Sequence, residues 1–328
     1  MNTNFIENFL VIIVSIVIET KNLTKNFNGN NVVDHLSFRI IKGELLSLLG
    51  PNGAGKTTTI KLLTTILKPT EGTAFINRFD IQKDKDKIRK FISFTPQEIV
   101  FYEDLSAKEN LIFFGRLYNN SKEKVKKQAD YILKVLGLAE RKDKAKNLSG
   151  GMKRRLNFGI SIIANSQIMF LDEPTAGLDP QARFIVWDLI REIKKQGKTI
   201  ILTTHNMHEA EVLSDRVLII DNGKIIAEGS PDELKDKHSE HNILELKYRN
   251  DFNHFIVKSK LEELNFVKDI IINQDESIHI YFNGAIFNFI MILNQQIIND
   301  ISDLEYMRLR QNTLEDVFLK ITGRRLRE

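Results

Sequence analysis

Nine residues near the start of the chain have the types and spacing of a phosphate-binding loop. They read Gly50-Pro51-Asn52-Gly53-Ala54-Gly55-Lys56-Thr57-Thr58 and fit the pattern G-x-x-x-x-G-K-[ST]. Glycines let the backbone curve closely round a phosphate, and the N–H groups of the loop and of a following helix point inward. Lys56 would reach the β- and γ-phosphates, and the Thr57 hydroxyl would hold Mg²⁺. The pattern therefore predicts that residues 50–58 bind a nucleotide.

The flanks of this loop predict the elements that position it. Residues 44–49 form an apolar run short enough for a buried strand, and residues 59–67 are long enough for a helix that Pro69 and Gly72 would end. A chance glycine turn is the alternative, but it would not explain a strand and a helix on its two sides. The context therefore favours the nucleotide site.

Two more predicted strands end in groups that can do chemistry. Asp172 and Glu173 follow the apolar run 168–171, and His205 follows the run 199–204. Acids at the carboxyl end of a buried strand face the ligand crevice of an open α/β sheet. Taken alone, the acids could form a solvated turn and the histidine could be structural. Because both strands belong to one predicted sheet, we expect the acids in the crevice and His205 at the γ-phosphate.

Three further segments carry weaker signals. The strand 91–96 is stopped by proline and delivers Gln97 to a loop. The glycines of Leu148-Ser149-Gly150-Gly151 lie at a predicted helix start, which can bind an anion but is also an ordinary N-cap. Phe27 precedes the Asn28-Gly29 turn and could stack on a nucleobase, although a lone phenylalanine is more often a core residue.

Composition excludes several classes of protein. The chain has 328 residues, enough for two domains. Its 47 Lys and Arg against 43 Asp and Glu leave a net charge of +4, so we expect no nucleic-acid partner, which would need clustered basic charge. The absence of cysteine excludes disulfides, thiolate catalysis and a cysteine-based zinc site.

Residues 1–15 are interpreted as an N-terminal extension. The run 9–18 is strongly apolar but shorter than the roughly 20 residues that span a bilayer. It has the length of a signal-peptide core, yet no Lys or Arg precedes it and no small-residue cleavage site follows. Translation from an upstream start codon and a peripheral membrane contact both stay open as explanations.

Together and in this order, these segments resemble the ATP-binding subunit of ABC transporters from about residue 18 to 238. The aromatic residue, Walker A loop, Q-loop, LSGGM signature, Walker B strand, D-loop and H-loop follow one another as in the family. The resemblance implies an α/β P-loop NTPase fold for residues 16–240, with a helical subdomain over about 98–165. It also implies an ATPase that uses ATP and Mg²⁺.

The resemblance assigns roles in four groups. Glu173 would be the general base, assisted by the rest of the catalytic set: Lys56, Gln97 and His205. Phe27 would stack on adenine beside the phosphate loop. The metal would be held by Thr57, Gln97 and Asp172. ATP held by a second copy would contact Leu148, Ser149, Gly150 and Gly151, and Asp179 would lie at that dimer interface.

Three segments narrow the resemblance to the daunorubicin-resistance type, which includes exporters of drugs, lipids and ions. They are residues 151–156, the D-loop Gly177-Leu178-Asp179-Pro180 and residues 313–323. This type implies a head-to-tail homodimer that energises a separate permease for export, peripheral on the cytoplasmic inner face of the cell membrane. Gln97 would link the ATP site to that permease. A soluble ABC-type switch without a permease and an importer subunit are the alternatives.

Residues 241–328 predict a small accessory domain. Strands over 244–248, 267–273, 277–282 and 304–309 alternate with helices over 252–264 and 285–298. This β-α-β-β-α-β order suggests an α+β ferredoxin-like domain. A last helix follows Thr313 and ends before Gly323. The domain shows no chemical site, so docking or stabilisation of the dimer is the expected role.

Overall fold

A computed structural model of the chain describes residues 15–118, 121–238, 242–248, 258–259, 261–272, 277–283, 291, 304–310 and 312–323. These residues divide into two compact units, one up to Ser230 and one from Pro231 onward. The sequence placed this boundary after residue 240. The structure places it earlier because the helix 231–238 packs against the helix 314–322 of the second unit. Residues 1–14 of the predicted N-terminal extension (residues 1–15) lie outside the described residues.

The first unit alternates strands and helices. Its strands are β1 (Ile16–Phe27), β2 (Asn30–Leu36), β3 (Arg39–Ile41), β4 (Leu45–Leu49), β5 (Glu71–Ile76), β6 (Phe79–Asp80), β7 (Ile92–Thr95), β8 (Ile168–Asp172), β9 (Thr199–Thr204), β10 (Arg216–Asp221) and β11 (Lys224–Gly229). Its helices are α1 (Lys56–Leu63), α2 (Lys85–Arg89), α3 (Ala107–Leu117), α4 (Lys122–Val135), α5 (Gly150–Ile163), α6 (Pro180–Lys195) and α7 (Met207–Leu213). Helices α3 to α5 occupy the span predicted for the helical subdomain.

A central sheet positions the candidate site. Its strand order is β11-β10-β4-β9-β8-β7, and all neighbours are parallel except the hairpin of β10 and β11. Strands β4, β8 and β9 are buried along their whole length, as expected for parallel strands covered on both faces. Because these three strands are parallel neighbours, the phosphate loop, Asp172 and His205 follow them at the same edge of the sheet.

Two hydrophobic clusters cover the two faces of this sheet. The helix-side core packs α3 to α6 against alternate sheet residues such as Leu45 and Leu171. The loop-side core lies on the other face of the central sheet. There α1 and the antiparallel sheet of β1, β2, β3, β5 and β6 pack against the intervening strand residues, such as Leu46 and Phe170. The alternation follows from the period of two along a strand.

Local signals in the sequence set several element ends. Ser106 and Glu109, a serine followed three residues later by a glutamate, predict a capping box, and the structure forms it at the start of α3. The dipeptide Asn222-Gly223 predicts a two-residue hairpin turn, and its φ angles of 46° and 75° fit that turn between β10 and β11. No helix in the described part of the chain is both long and apolar enough to cross a membrane.

The second unit contains an antiparallel sheet. Its elements are α8 (Pro231–His238), β12 (Asn242–Tyr248), β13 (Val267–Ile272), β14 (Ile278–Phe282), β15 (Leu304–Arg310) and α9 (Leu314–Thr322). The strand order β13-β14-β12-β15 places β14 between β12 and β13, which is the split arrangement of the predicted ferredoxin-like domain. The helices predicted over 252–264 and 285–298 lie mostly outside the described residues.

We expect Phe170→Ala to destabilise the first unit by about 3–5 kcal/mol, because it opens a cavity in the fully buried centre of β8. The matched control is Leu117→Ala, whose side chain is 64% exposed on α3, and which should change stability by no more than about 0.5 kcal/mol. Urea unfolding followed by the fluorescence of Trp187, the single tryptophan, measures both. Equal midpoints for the two variants would contradict the assignment of Phe170 to the core.

Candidate functional site

The phosphate loop connects β4 to α1 and needs glycine at two positions. A Cβ on Gly50 would collide with the carbonyl oxygen of Ile220. Gly55 has a φ of 99°, and a Cβ there would collide with the carbonyl oxygen of Val32. The loop therefore packs its backbone against β2 and β10, which explains in this chain why the motif has glycines at these places.

Lys56 points back along its own loop. Its Nζ donates to the carbonyl oxygens of Gly50 at 2.7 Å and Pro51 at 3.0 Å, and it lies 3.7 Å from Glu173 Oε1. Both side chains of this ion pair are nearly buried. Burial lowers the pKa of Lys56, and the nearby Glu173 and Asp172 carboxylates partly oppose that shift. The loop thus holds a desolvated cation where anionic phosphates would bind.

Asp172 ends β8 beside the start of α1. Its Oδ1 accepts hydrogen bonds from the hydroxyls of Thr57 at 3.0 Å and Thr203 at 2.5 Å. Its Oδ2 is buried and makes no hydrogen bond within the described part of the chain. Burial raises the pKa of Asp172, while the two hydroxyls act in the opposite direction. A carboxylate whose second oxygen is buried without a hydrogen-bond donor is suited to coordinating a cation.

The oxygen atoms of Thr57 and Asp172 fit a magnesium ion. Mg²⁺ prefers oxygen ligands and is usually held by one or two carboxylates together with substrate phosphates and water. The described residues contain no group of three or more His, Cys, Asp or Glu that could hold a metal. A site with one carboxylate therefore fits a metal that arrives with a phosphate-bearing substrate. The side-chain amide nitrogen of the third predicted ligand, Gln97, donates a hydrogen bond to Glu173 in this structure.

Glu173 is the centre of the polar cluster. Its backbone has a φ of 49°, and its N–H lies 3.1 Å from both the carbonyl and the hydroxyl oxygens of Thr203. Its Oε1 is 3.1 Å from His205 Nδ1, and its Oε2 accepts a hydrogen bond from Gln97 Nε2 at 3.3 Å. With Lys56 also nearby, the structure brings together the four residues that were predicted to be catalytic.

This cluster borders a cavity of about 330 Å³. Residues 52–58 of the phosphate loop form one wall, and Val32, Gln97 and Glu173 complete the lining. The cavity joins the loop that would hold phosphates to a carboxylate that could activate water. That combination is the one that phosphoryl transfer to water needs, since positioning and charge neutralisation supply most of its catalysis.

Other predicted residues do not line this cavity. Phe27 lies at the end of β1 with 43% of its surface exposed and Lys25 Nζ 5.0 Å from its ring centroid. Ser149 and Asp179 cap α5 and α6 by accepting hydrogen bonds from Met152 N and Ala182 N. Leu148 is buried in the helix-side core, so its side chain anchors the segment that carries Ser149, Gly150 and Gly151.

Sequence reasoning did not find the residues that hold the Gln97 segment. Asn157 of α5 is buried, accepts a hydrogen bond from Val100 N and donates to Pro96 O. The guanidinium group of Arg154, one turn earlier, donates to Gln97 O, and burial lowers the pKa of Arg154. Helix α5 therefore fixes the backbone on both sides of Gln97. The only signal in the sequence was that Arg154 and Asn157 are three residues apart, which places both polar side chains on one face of the predicted helix.

Thr203 is the other residue that sequence reasoning missed. It is fully buried on β9, next to Asp172 in the register of the sheet. Its hydroxyl contacts the Asp172 side chain and the Glu173 backbone, so it holds both acids. Threonine at the carboxyl end of a buried strand whose centre, Ile200 to Leu202, is apolar was the available signal.

Comparison with known proteins adds independent findings. The family model described as ABC transporter matches residues 33–176. The linearmycin resistance ATP-binding protein of Bacillus subtilis (strain 168) is 34% identical over 315 residues, which cover 95% of this chain and 100% of that protein. The daunorubicin/doxorubicin resistance ATP-binding protein of Streptomyces peucetius is 42% identical over 231 residues, 70% of each chain.

Solved structures agree with these relatives. An ATP-binding subunit of an ABC transporter is 29% identical with a TM-score of 0.63, covering 67% of this chain and 92% of that chain. A dimeric ATP-binding cassette in a post-hydrolysis state with ADP and Pi is 27% identical with a TM-score of 0.60, covering 65% of this chain and 98% of that one. The family match over residues 33–176 contains the phosphate loop, Gln97 and the two acids of the candidate site.

The raised pKa of Asp172 gives a prediction about stability without nucleotide or metal. The folded chain binds a proton at this group more tightly than the unfolded chain, whose pKa is near 3.8, so the free energy of unfolding falls as pH rises through the folded pKa. Asp172→Asn removes this loss. We expect the variant to be more stable than the parent near neutral pH, with the difference shrinking as pH falls.

Urea midpoints over a pH series from about 4 to 8 measure this difference. Asp188→Asn is the control, because Asp188 is exposed on α6 and its ion-pair partner is Arg191 rather than a residue of the cluster. It should show no pH-dependent gain in stability. An Asp172→Asn chain that is less stable than the parent at neutral pH would contradict the prediction.

Proposed function

Since the chain belongs to the ABC transporter family, we propose that it is the ATP-binding and ATP-hydrolysing subunit of an export system that energises a separate permease. The single observation that carries the proposal is the convergence of Lys56, Gln97 and His205 on Glu173 beside the phosphate loop. Export is favoured over import because the relatives named above are drug-resistance proteins.

The phosphate loop binds the triphosphate of ATP. The backbone N–H groups of residues 52–58 and the N-terminus of α1 offer donors and a positive dipole end to the phosphates. Lys56 exchanges its contacts with Gly50 and Pro51 for oxygens of the β- and γ-phosphates. Phe27 stacks on adenine from the exposed end of β1.

Glu173 is the general base. Its carboxylate polarises the attacking water, while Gln97 and His205 fix the orientation of the two carboxylate oxygens. His205 also contacts the γ-phosphate. Thr57 and Asp172 would hold Mg²⁺ together with the amide oxygen of Gln97, whose nitrogen contacts Glu173, and the metal would neutralise charge on the phosphates. The residues of this chain thus supply position, a base and a cation site.

The active unit is a head-to-tail homodimer with two composite ATP sites. Ser149, the signature glycines and Asp179 do not line the cavity of their own chain, which supports a role towards ATP held by a second copy. In a symmetric pair, the Ser149 segment of each chain faces the Lys56 loop of the other. ATP then joins the two copies, and hydrolysis releases them.

An exposed apolar patch supports docking to a permease on the inner face of the membrane. The patch consists of Ile99, Val100, Tyr102, Phe113 and Leu117. Its first three residues closely follow Gln97 along the chain, and Tyr102 contacts Phe113 of α3 with ring centroids 4.8 Å apart. Clusters of exposed apolar side chains mark interaction surfaces. Because Asn157 ties the same segment to α5, a partner on the patch would act on both Gln97 and the helix that begins at the signature. A soluble switch without a permease would leave this patch unexplained.

Glu173→Gln tests the proposed function. We expect ATP turnover by the purified chain to fall by about 100-fold or more, because the amide cannot take a proton from water. ATP affinity should remain, and a nucleotide-bound dimer should accumulate in size-exclusion chromatography. Glu98→Gln, an exposed neighbour of Gln97, is the control and should keep normal turnover. Near-normal turnover of the Glu173 variant would refute the base assignment.

Mixing two inactive variants tests the composite sites. In a head-to-tail pair of Lys56→Ala with Ser149→Phe, both defects fall in one site and the other site is intact. Random pairing makes half of the dimers mixed with one intact site each, so we expect roughly a quarter of the normal activity. The control mixes Lys56→Ala with Glu173→Gln. Lys56 and Glu173 of one chain serve the same site, so each of the two sites in a mixed dimer carries one defect and no activity should return. Equal activity of the two mixtures would exclude the head-to-tail arrangement.

A further inference from the structure

Glu209 is a buried acid that lies where three elements of the candidate site meet. It belongs to α7, is 1% exposed, and its Oε1 accepts hydrogen bonds from the Thr175 hydroxyl at 2.6 Å and the Trp187 indole N–H at 2.8 Å. We propose that Glu209 is a positioning residue that holds His205 and the segment 173–179 in one fixed geometry for hydrolysis. The inference rests on the proposed function and names a residue that acts through others.

Burying a carboxyl group is unfavourable unless hydrogen bonds replace its contacts with water. Glu209 has no ion pair with a Lys, Arg or His of the described residues, so the two donors on Oε1 supply that compensation. A leucine at this place would fill similar space without the desolvation penalty. The acid therefore contributes something that packing alone would not, which is a directional connection between Thr175 and Trp187.

One side of this connection leads to His205. The N–H of Glu209 donates to Asn206 Oδ1 at 3.0 Å, and the N–H of Asn206 donates to Thr204 Oγ1 at 2.9 Å. These bonds fix the start of α7 against the end of β9, with His205 between them. A displacement of Glu209 would therefore be passed to His205 through a helix start that has little freedom to absorb it.

The other side leads to the segment 173–179. Within it, Ala176 N donates to Glu173 O at 3.2 Å and Leu178 N donates to Thr175 O at 3.1 Å, so two tight turns join the general base to Asp179. Thr175 lies in both turns, and its hydroxyl is held by Glu209. The path from Glu173 to Asp179 is therefore anchored at its middle.

Trp187 anchors the third element. It lies on α6, the helix that Asp179 caps, and its ring is almost completely buried. The hydrogen bond from its indole N–H to Glu209 ties α6 to α7. The His205–Glu173 pair is thus connected twice, directly at 3.1 Å and through Glu209 and Thr175. Asp179 caps the helix that carries Trp187, so the same hydrogen bonds also connect the general base Glu173 with the proposed dimer interface.

Thr175→Val is the decisive variant, because it removes one hydrogen-bond donor and keeps the shape of the side chain. We expect kcat of the full chain to fall about tenfold while the KM for ATP stays within about threefold, because a small displacement of reacting groups affects the transition state more than binding. Thr175→Ser, which keeps the hydroxyl, should restore normal turnover.

Glu209→Leu and Glu209→Gln form the second pair. The leucine variant should lose about 10- to 100-fold in kcat, and the glutamine variant, whose amide oxygen still accepts both bonds, should stay within about threefold. Combining Thr175→Val with Glu209→Leu should cause no further loss, because both break the same connection. If the leucine variant fails to fold, the kcat and KM of Thr175→Val alone decide whether Glu209 has the proposed positioning role.

The outcomes separate this inference from the proposed function. A parent chain without ATP turnover, or a Glu173→Gln chain with normal turnover, would refute the proposed function. A parent chain with normal turnover whose Thr175→Val variant keeps its kcat would refute only the role of Glu209. Additive losses in the double variant would refute it as well.

Discussion

One buried cation and two buried acids share one edge of the central sheet, and the arrangement of the site depends on that constraint. Lys56 cannot balance both Asp172 and Glu173, so the hydroxyls of Thr57 and Thr203 stabilise the remaining charge. This excess of negative charge suits a divalent cation, which under the proposed function would balance the phosphates of ATP. Substrate and metal would then complete an electrostatic arrangement that the protein leaves incomplete.

The same edge explains how much of the site could be predicted. A glycine loop, an acid pair and a histidine each follow a buried strand, and the period of an apolar strand is visible in sequence. Because β4, β8 and β9 are parallel neighbours, the three groups had to meet. The turn at Asn222-Gly223 and the cap at Ser106 depend on adjacent residues, so they too were visible.

Contacts between distant parts of the chain were not visible. Thr203 meets Asp172 only because β8 and β9 pair in a particular register, and Asn157 reaches Pro96 and Val100 only because α5 packs on that loop. The boundary between the units falls after Ser230, earlier than predicted, because the charged segment 231–238 does not show in sequence which unit its helix joins. The packing of this helix against α9 decides it, and packing is not a local property. The roles of individual site residues stay predictions until variants are measured.

The division of the first unit into two cores has a mechanical consequence. The phosphate loop and α1 rest on the loop-side core, whereas α5, which begins at the signature, rests on the helix-side core. The central sheet lies between the two cores, so the two halves of the proposed composite site are supported by separate cores. A load applied at the exposed patch would deform the helical layer first. The phosphate loop would keep its geometry during that deformation, so the protein could transmit force to its partner while ATP stays bound.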